Sequence, residues 1–366
     1  MITRVARLTL IAVSLTALAV LPGCGDDDDS SSSTGTTENA AAPNLDAVKS
    51  YLTDHSAALA ENTETLQQVA EDYDALAKES DYDYARMLEE NRDEVVQLMA
   101  DGQEAYRAAN PSYEEMEGIV AGVPRLAHYD VDIDAGSDAS DPENAVSFSL
   151  ELPNGKVMKQ PGNFMYLTET SLFATDPRFL AKRAPKDVDG DGKVSFGEGL
   201  PDAQFLVTAM TAFNEMAHEL DADAKEFEPT PSDAFTAITV MTPTMSEYFG
   251  AWKASRFVAG GDATPEFAAA SRLQDIGDIL EGIRLTYGEV SPMIADESPD
   301  QADQTARELD RLIAFVTDLR EQEDGGKRFT AEETDLLGSD AQTRAEEIAG
   351  QVTQAAERLN VELQEG

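Results

Sequence analysis

The sequence predicts an all-α protein: two packed antiparallel four-helix-type bundles, interrupted by a small β-hairpin insertion and one acidic loop. Three observations carry that expectation. Apolar residues recur at helical spacing over long stretches, from Leu45, Val48, Leu52 and Leu59 near the start to Ile348, Val352, Ala355 and Leu359 near the end. Alternation of period two is confined to one short run, AVSFSLELPNGKVMK, at residues 145–159. About 320 residues follow Pro43, enough for two medium cores built from helices of this length.

The elements follow in order. The first helix begins after Pro43 with Asn44 as its cap, and its stripe continues through Leu66, Val69, Tyr73 and Leu76. His55 falls on that stripe and reads as a hydrogen-bonded core residue rather than a ligand. A second helix spans about 82–109 and stops at Asn110-Pro111, and a third spans about 113–123. The hairpin turns at Pro153-Asn154-Gly155. Helical periodicity returns at 164–173 and breaks at Asp176-Pro177. It resumes with Leu206, Met210, Phe213, Ala217 and Leu220. Later helices are expected over about 232–249, 265–286, 301–323 and 331–363. Residues 44–185 would then form an N-terminal bundle carrying the hairpin, 186–200 the loop, and 201–366 a C-terminal bundle.

The segment before Pro43 has a different character. Arg4 and Arg7 precede LTLIAVSLTALAV, which is short for a membrane span and has the pattern of a secretory signal, so residues 1–23 are expected to be a lipoprotein signal peptide. The next residues, LPGC, resemble the lipobox of bacterial lipoproteins, in which the thiol of Cys24 takes the lipid. Cys24 is the chain's one cysteine, which excludes a disulfide framework, a thiolate zinc site and a cysteine nucleophile in the folded part. Residues 24–43 are too polar and charged to build a core and read as a disordered acidic, serine-rich tether. The expected location is the cell envelope, with the chain held to a membrane through lipid on Cys24. Gly25 rather than aspartate after the cysteine favours the periplasmic side of the outer membrane over the inner membrane.

Charge narrows the partners further. With 71 acidic and 27 basic residues the formal net charge is −44, so nucleic acid and anionic lipid would be repelled and cations attracted. Residues 187–198, DVDGDGKVSFGE, match a complete EF-hand-like calcium loop: Asp187, Asp189, Asp191, the carbonyl of Lys193, Ser195 and Glu198 fall at positions one, three, five, seven, nine and twelve, with Gly192 at the turn. Val194, at position eight, is expected to tether the loop to a core. Pro185 should stop an entering helix, while Gly199 and Pro201 interrupt the leaving one. No second loop follows at the usual spacing, so Ca2+ here reads as a structural clip between bundles rather than a sensor. A weaker acidic run places Asp130, Asp132, Asp134 and Asp141 at loop positions, but Ala135 replaces the turn glycine. Glu215 and His218 form an E-x-x-H pair with no second copy, and Glu215 faces away from its helix's stripe, which argues against a di-iron bundle.

The stretch NFMYLTETSLFATDPRF, residues 163–179, resembles the signature region of the imelysin family, which includes EfeO-type iron-uptake lipoproteins and imelysin peptidases. In that signature a histidine and a glutamate stand three apart on a helix, before an apolar run ending near an aspartate. Here Glu169 matches the glutamate, Leu172-Phe173 the run and Asp176 the aspartate, while Tyr166 stands in the histidine's place. The resemblance implies a second metal or ligand site at Tyr166 and Glu169, on a helix face opposite the packing stripe, joined by His128, Asp130 and Asp132. Iron or another transition metal, and an envelope transporter as partner, are implied in the same way. Tyrosine is a poor zinc ligand, so the peptidase chemistry of the family is disfavoured relative to metal binding. A metallopeptidase, or a calcium-stiffened surface interaction protein, are the alternatives.

Overall fold

In the computed structural model, which describes residues 43–261 and 264–364, the stripe of the first helix becomes the buried face of α1 (Asp46–Glu79). The expectations for the signal peptide, for Cys24 and for the tether before Pro43 lie outside the described residues. α1 packs along α2 (Tyr84–Val120) and along α5 (Ala203–Glu226), and the short α4 (Phe164–Leu172) fits between α2 and α5. The described residues form one compact unit. Among the described residues the fold is all-α apart from a two-stranded antiparallel hairpin, β1 (Ser149–Glu151) with β2 (Val157–Lys159), in which Leu150 faces Met158. Gly155 takes φ +82 at its turn, a conformation glycine adopts without strain. Parallel stacking of Phe148 on Phe164 and of Phe164 on Phe213, with centroids 4.2 and 5.3 Å apart, fixes the hairpin against α4 and α5.

Four boundaries differ from the periodicity, each for a physical reason. Pro111 does not end a helix: α2 runs through it, because Ala109, Asn110, Ser112 and Tyr113 are all buried and their packing outweighs one lost backbone bond. The expected helix over 232–249 is broken at Pro243 into α6 (Pro231–Met241) and α7 (Met245–Ala254). The helix expected from Pro265 begins only at Arg272, as α8 (Arg272–Glu297), after an irregular strap. α5, expected in the C-terminal bundle, lies against α1, so the first bundle comprises α1, α2, α4 and α5. The second comprises α6 to α8 with α9 (Pro299–Asp324) and α10 (Ala331–Leu359). No helix among the described residues is long and apolar enough to cross a membrane.

The bundles meet where the C-terminal half of α2 crosses α8. A Cβ on Gly282 would lie 2.4 Å from the carbonyl oxygen of Glu115, so the two backbones touch there. Gly282→Ala is expected to cost about 2 kcal/mol by overpacking, read as a fall in the urea midpoint at unchanged slope. The same crossing carries the charged residues described next.

Candidate functional site

α2 turns Tyr113, Glu114 and Glu117 toward α8, whose first turn carries Arg272 and Asp275. A short helix, α3 (Ala127–Asp130), passes into a π-helical turn over Val131–Ala135 and brings Asp130 and Asp134 to the same place. α7 adds Tyr248. Arg272 is 4 % exposed. Its Nη1 donates to Glu114 Oε1 at 3.1 Å and to Asp275 Oδ2 at 3.2 Å, and its Nη2 lies 3.5 Å from Asp134 Oδ2. The rings of Tyr248 and Phe267 take its guanidinium at 4.7 and 4.6 Å. Asn110 donates to Asp275 at 2.9 Å, Tyr113 to Asp130 at 2.7 Å and Tyr248 to Glu117 Oε1 at 2.8 Å. A cleft of about 650 Å³, lined by Glu117, Asp130, Asp134, Tyr166, Tyr248 and Arg272 among others, opens onto this cluster.

The cluster is short of positive charge. Glu114, Glu117, Asp130, Asp134 and Asp275 face a single buried guanidinium. Burial, followed by the charge of Asp275, holds the Glu114 carboxyl well above the usual range. Burial and then Asp134 push Glu117 up to about 7, and burial and then Glu117 raise Asp130. Oε2 of Glu114 and Oε2 of Glu117 are buried without a hydrogen-bond partner. One carboxylate oxygen each from Glu114, Glu117 and Asp134 can be chosen so that all three lie within 4.8 Å of one another. Such an arrangement holds either shared protons or a cation, and its all-oxygen donors suit a hard ion.

The residues singled out by sequence divide. Asp130 and Tyr166 both line the cleft. The Tyr166 hydroxyl donates to Asp176 at 2.6 Å and accepts from Arg178, whose other nitrogens bind Asp176 and Asp138; Tyr166, Arg178 and Asp138 line the cleft. Glu169 does not face solvent: α4 is buried on nearly every side, and Glu169 is 3 % exposed. Its carboxylate accepts the backbone N–H groups of Phe267, Ala268 and Ala269 at 2.7, 2.9 and 2.7 Å, anchoring the strap before α8. Asp132 accepts from the backbone and hydroxyl of Ser147 and pins the segment before the hairpin. His128 is exposed beside Tyr129. These five therefore do not converge on one point. Glu215 is exposed as expected, His218 is exposed too, and His55 bonds Glu115 at 2.6 Å; none of the three histidines lines the cleft.

Glu114, Glu117, Arg272 and Asp275 escaped sequence reasoning. The readable signal was a carboxylate pair three apart, between Tyr113, Met116 and Val120 on an otherwise apolar face of α2.

The acidic loop lies in an irregular segment between α4 and α5, without flanking helices. Carboxylate oxygens of Asp187, Asp189 and Asp191 converge within 4.8 Å. Asp187 also accepts from the backbone of Gly190 and Gly192, and Glu198 from that of Val188, Asp189 and Ser195, which holds the Glu198 carboxyl below its usual range. The donor set of the loop, including the carbonyl of Lys193 and the hydroxyl of Ser195, fits Ca2+ in chemistry and order. Val194 is not the tether: it is 58 % exposed, having no second loop to pair with, and Val188, at 5 %, is buried instead. Phe196 lies between the Phe173 ring and the Arg256 guanidinium, so the loop touches the end of α4 and the segment just after α7 together.

Fold and cleft define a helical two-bundle protein with a buried carboxylate centre at the bundle junction. The imelysin family model, Peptidase_M75, matches residues 47–359, nearly the whole described chain, and the chain belongs to that family. No curated protein matches it.

Proposed function

We propose that this protein is a non-enzymatic cation-binding member of the imelysin family, of the EfeO-like kind, anchored in the cell envelope through Cys24. The cleft holds a hard metal ion, with ferric iron the cargo implied by the family resemblance and an envelope transporter its recipient. Glu114, Glu117 and Asp134 supply the first oxygens, and Asp130, bonded to Tyr113, also lines the cleft. The observation that carries this reading is the pair of buried, unpartnered oxygens on Glu114 and Glu117 beside Asp134. Calcium on Asp187, Asp189, Asp191, Lys193, Ser195 and Glu198 stiffens the loop that touches the end of α4 and Arg256. The cleft lacks the nitrogen and sulfur donors that a catalytic zinc ion ordinarily uses, which favours binding over peptidase chemistry.

Calorimetric titration of the purified chain with Ca2+, Mn2+ and a soluble ferric chelate tests both sites. Glu117→Gln is expected to weaken the cleft ion at least ~10-fold while leaving the calcium loop intact, and Asp187→Ala to do the reverse. Absence of any cation bound by the wild type would overturn the reading, and cleavage of casein by it would favour the peptidase.

A further inference from the structure

Arg272 occupies the place where a cation would most reduce the charge of the cluster. It reaches Glu114 and Asp134, two of the three residues assigned to the ion, and Asp275, which is not. The Tyr248 and Phe267 rings fix the guanidinium from the side, and the Nε hydrogen has no partner, so its position is set by charge and stacking rather than by a full set of bonds. We infer that Arg272 is a resident counter-cation that competes with the bound ion for Glu114 and Asp134, and so keeps the site weak enough to release its cargo. The inference rests on the cation-binding reading of the cleft.

Two consequences separate this from a purely structural arginine. A positive charge a few ångströms from a metal ion is repelled by it, and in a buried site little screening reduces that repulsion. An ion arriving between Glu114 and Asp134 must therefore weaken the contacts of Arg272 with both. Asp275, held in place by Asn110, remains as the partner onto which the guanidinium withdraws. Loss of the arginine charge should strengthen ion binding, and loss of Asp275 should weaken it by leaving the guanidinium no alternative partner.

The test compares wild type, Arg272→Met, Arg272→Lys and Asp275→Asn by titration with Mn2+ and with a ferric chelate, alongside thermal unfolding with and without each ion. Arg272→Met is expected to bind at least ~10-fold more tightly than wild type, and its unfolding midpoint to rise more steeply with added ion, because without the arginine the carboxylates depend on the metal. Arg272→Lys keeps the charge and should stay within a few-fold of wild type, and Asp275→Asn should bind more weakly. If Arg272→Met folds poorly without metal, recovery of its midpoint by Mn2+ to a greater extent than in wild type supports the inference. Wild-type binding with equal or weaker binding by Arg272→Met would overturn it and leave the cation reading standing. Failure of every variant and of the wild type to bind would remove both.

Discussion

Glu169→Ala is expected to destabilise the fold by about 4 kcal/mol, because each buried backbone donor left without an acceptor costs on the order of 1–3 kcal/mol. Three donors, on half-buried Phe267, buried Ala268 and half-buried Ala269, end on this one carboxylate. Nothing near them replaces it, since α4 is buried around Glu169 and Ala268 is 4 % exposed. Phe267 makes the dependence stronger: it stands at φ +54, a left-handed conformation that a non-glycine residue keeps only when its surroundings hold it. The lost side chain also frees the strap that carries Phe267 over Arg272, so the cleft should loosen with the fold. For a chain of this size the loss corresponds to roughly 8 °C in midpoint. Glu169→Gln keeps one acceptor oxygen and should lose about half as much. Urea and thermal unfolding of the three proteins check this, and a Glu169→Ala variant within about 1 kcal/mol of wild type would show that the strap is held by something else.

This role for Glu169 marks the limit of what sequence reasoning could reach. The all-α class, the hairpin and the last two helices were legible because each has an apolar stripe or an alternation of its own. The Glu169 face of α4 was misjudged because Thr168, Glu169 and Thr170 look like a polar side yet are buried, their groups bonded to backbone or to the strap. A short helix packed between larger ones does not show amphipathicity. Pro111 misled in the same way: a local stop signal lay within a segment that tertiary packing keeps helical. The buried carboxylate cluster was hidden for a different reason. Its residues come from α2, the π-helical turn and the start of α8, at positions as far apart as 114 and 275, and no local motif joins them. The acidic loop was the opposite case, with every donor inside twelve residues. Even there, only the spatial structure assigned the anchoring role to Val188 rather than Val194.

Stability should fall as pH rises from about 5 to 8, the reverse of the behaviour of a protein held by salt-bridged carboxylates. Burial, against the opposing pull of three N–H donors, pushes the Glu169 carboxyl from the ordinary 4.5 up to about 7 in the folded chain. Between those values the folded state holds a proton that the unfolded state has released, so stability decreases with pH across that window. A rise from 4.5 to about 7 corresponds to about 3 kcal/mol from this group alone, fully present below pH 4.5 and lost by pH 7 to 8. Glu117 moves in the same direction and to the same region. Asp138, held at about 2 by Ser140 and Arg178, acts oppositely, but its window closes below pH 4. Unfolding midpoints at pH 5.5 are therefore expected to exceed those at pH 8 by about 5 °C or more. Glu169→Gln should flatten the profile, since its side chain carries no proton to lose. A cation bound in the cleft should recover stability chiefly at the alkaline end, where carboxylates that have released their protons need another positive partner. A midpoint that rises steadily from pH 5.5 to 8 without added metal would mean that Glu169 is ionised throughout, its three N–H bonds outweighing its burial.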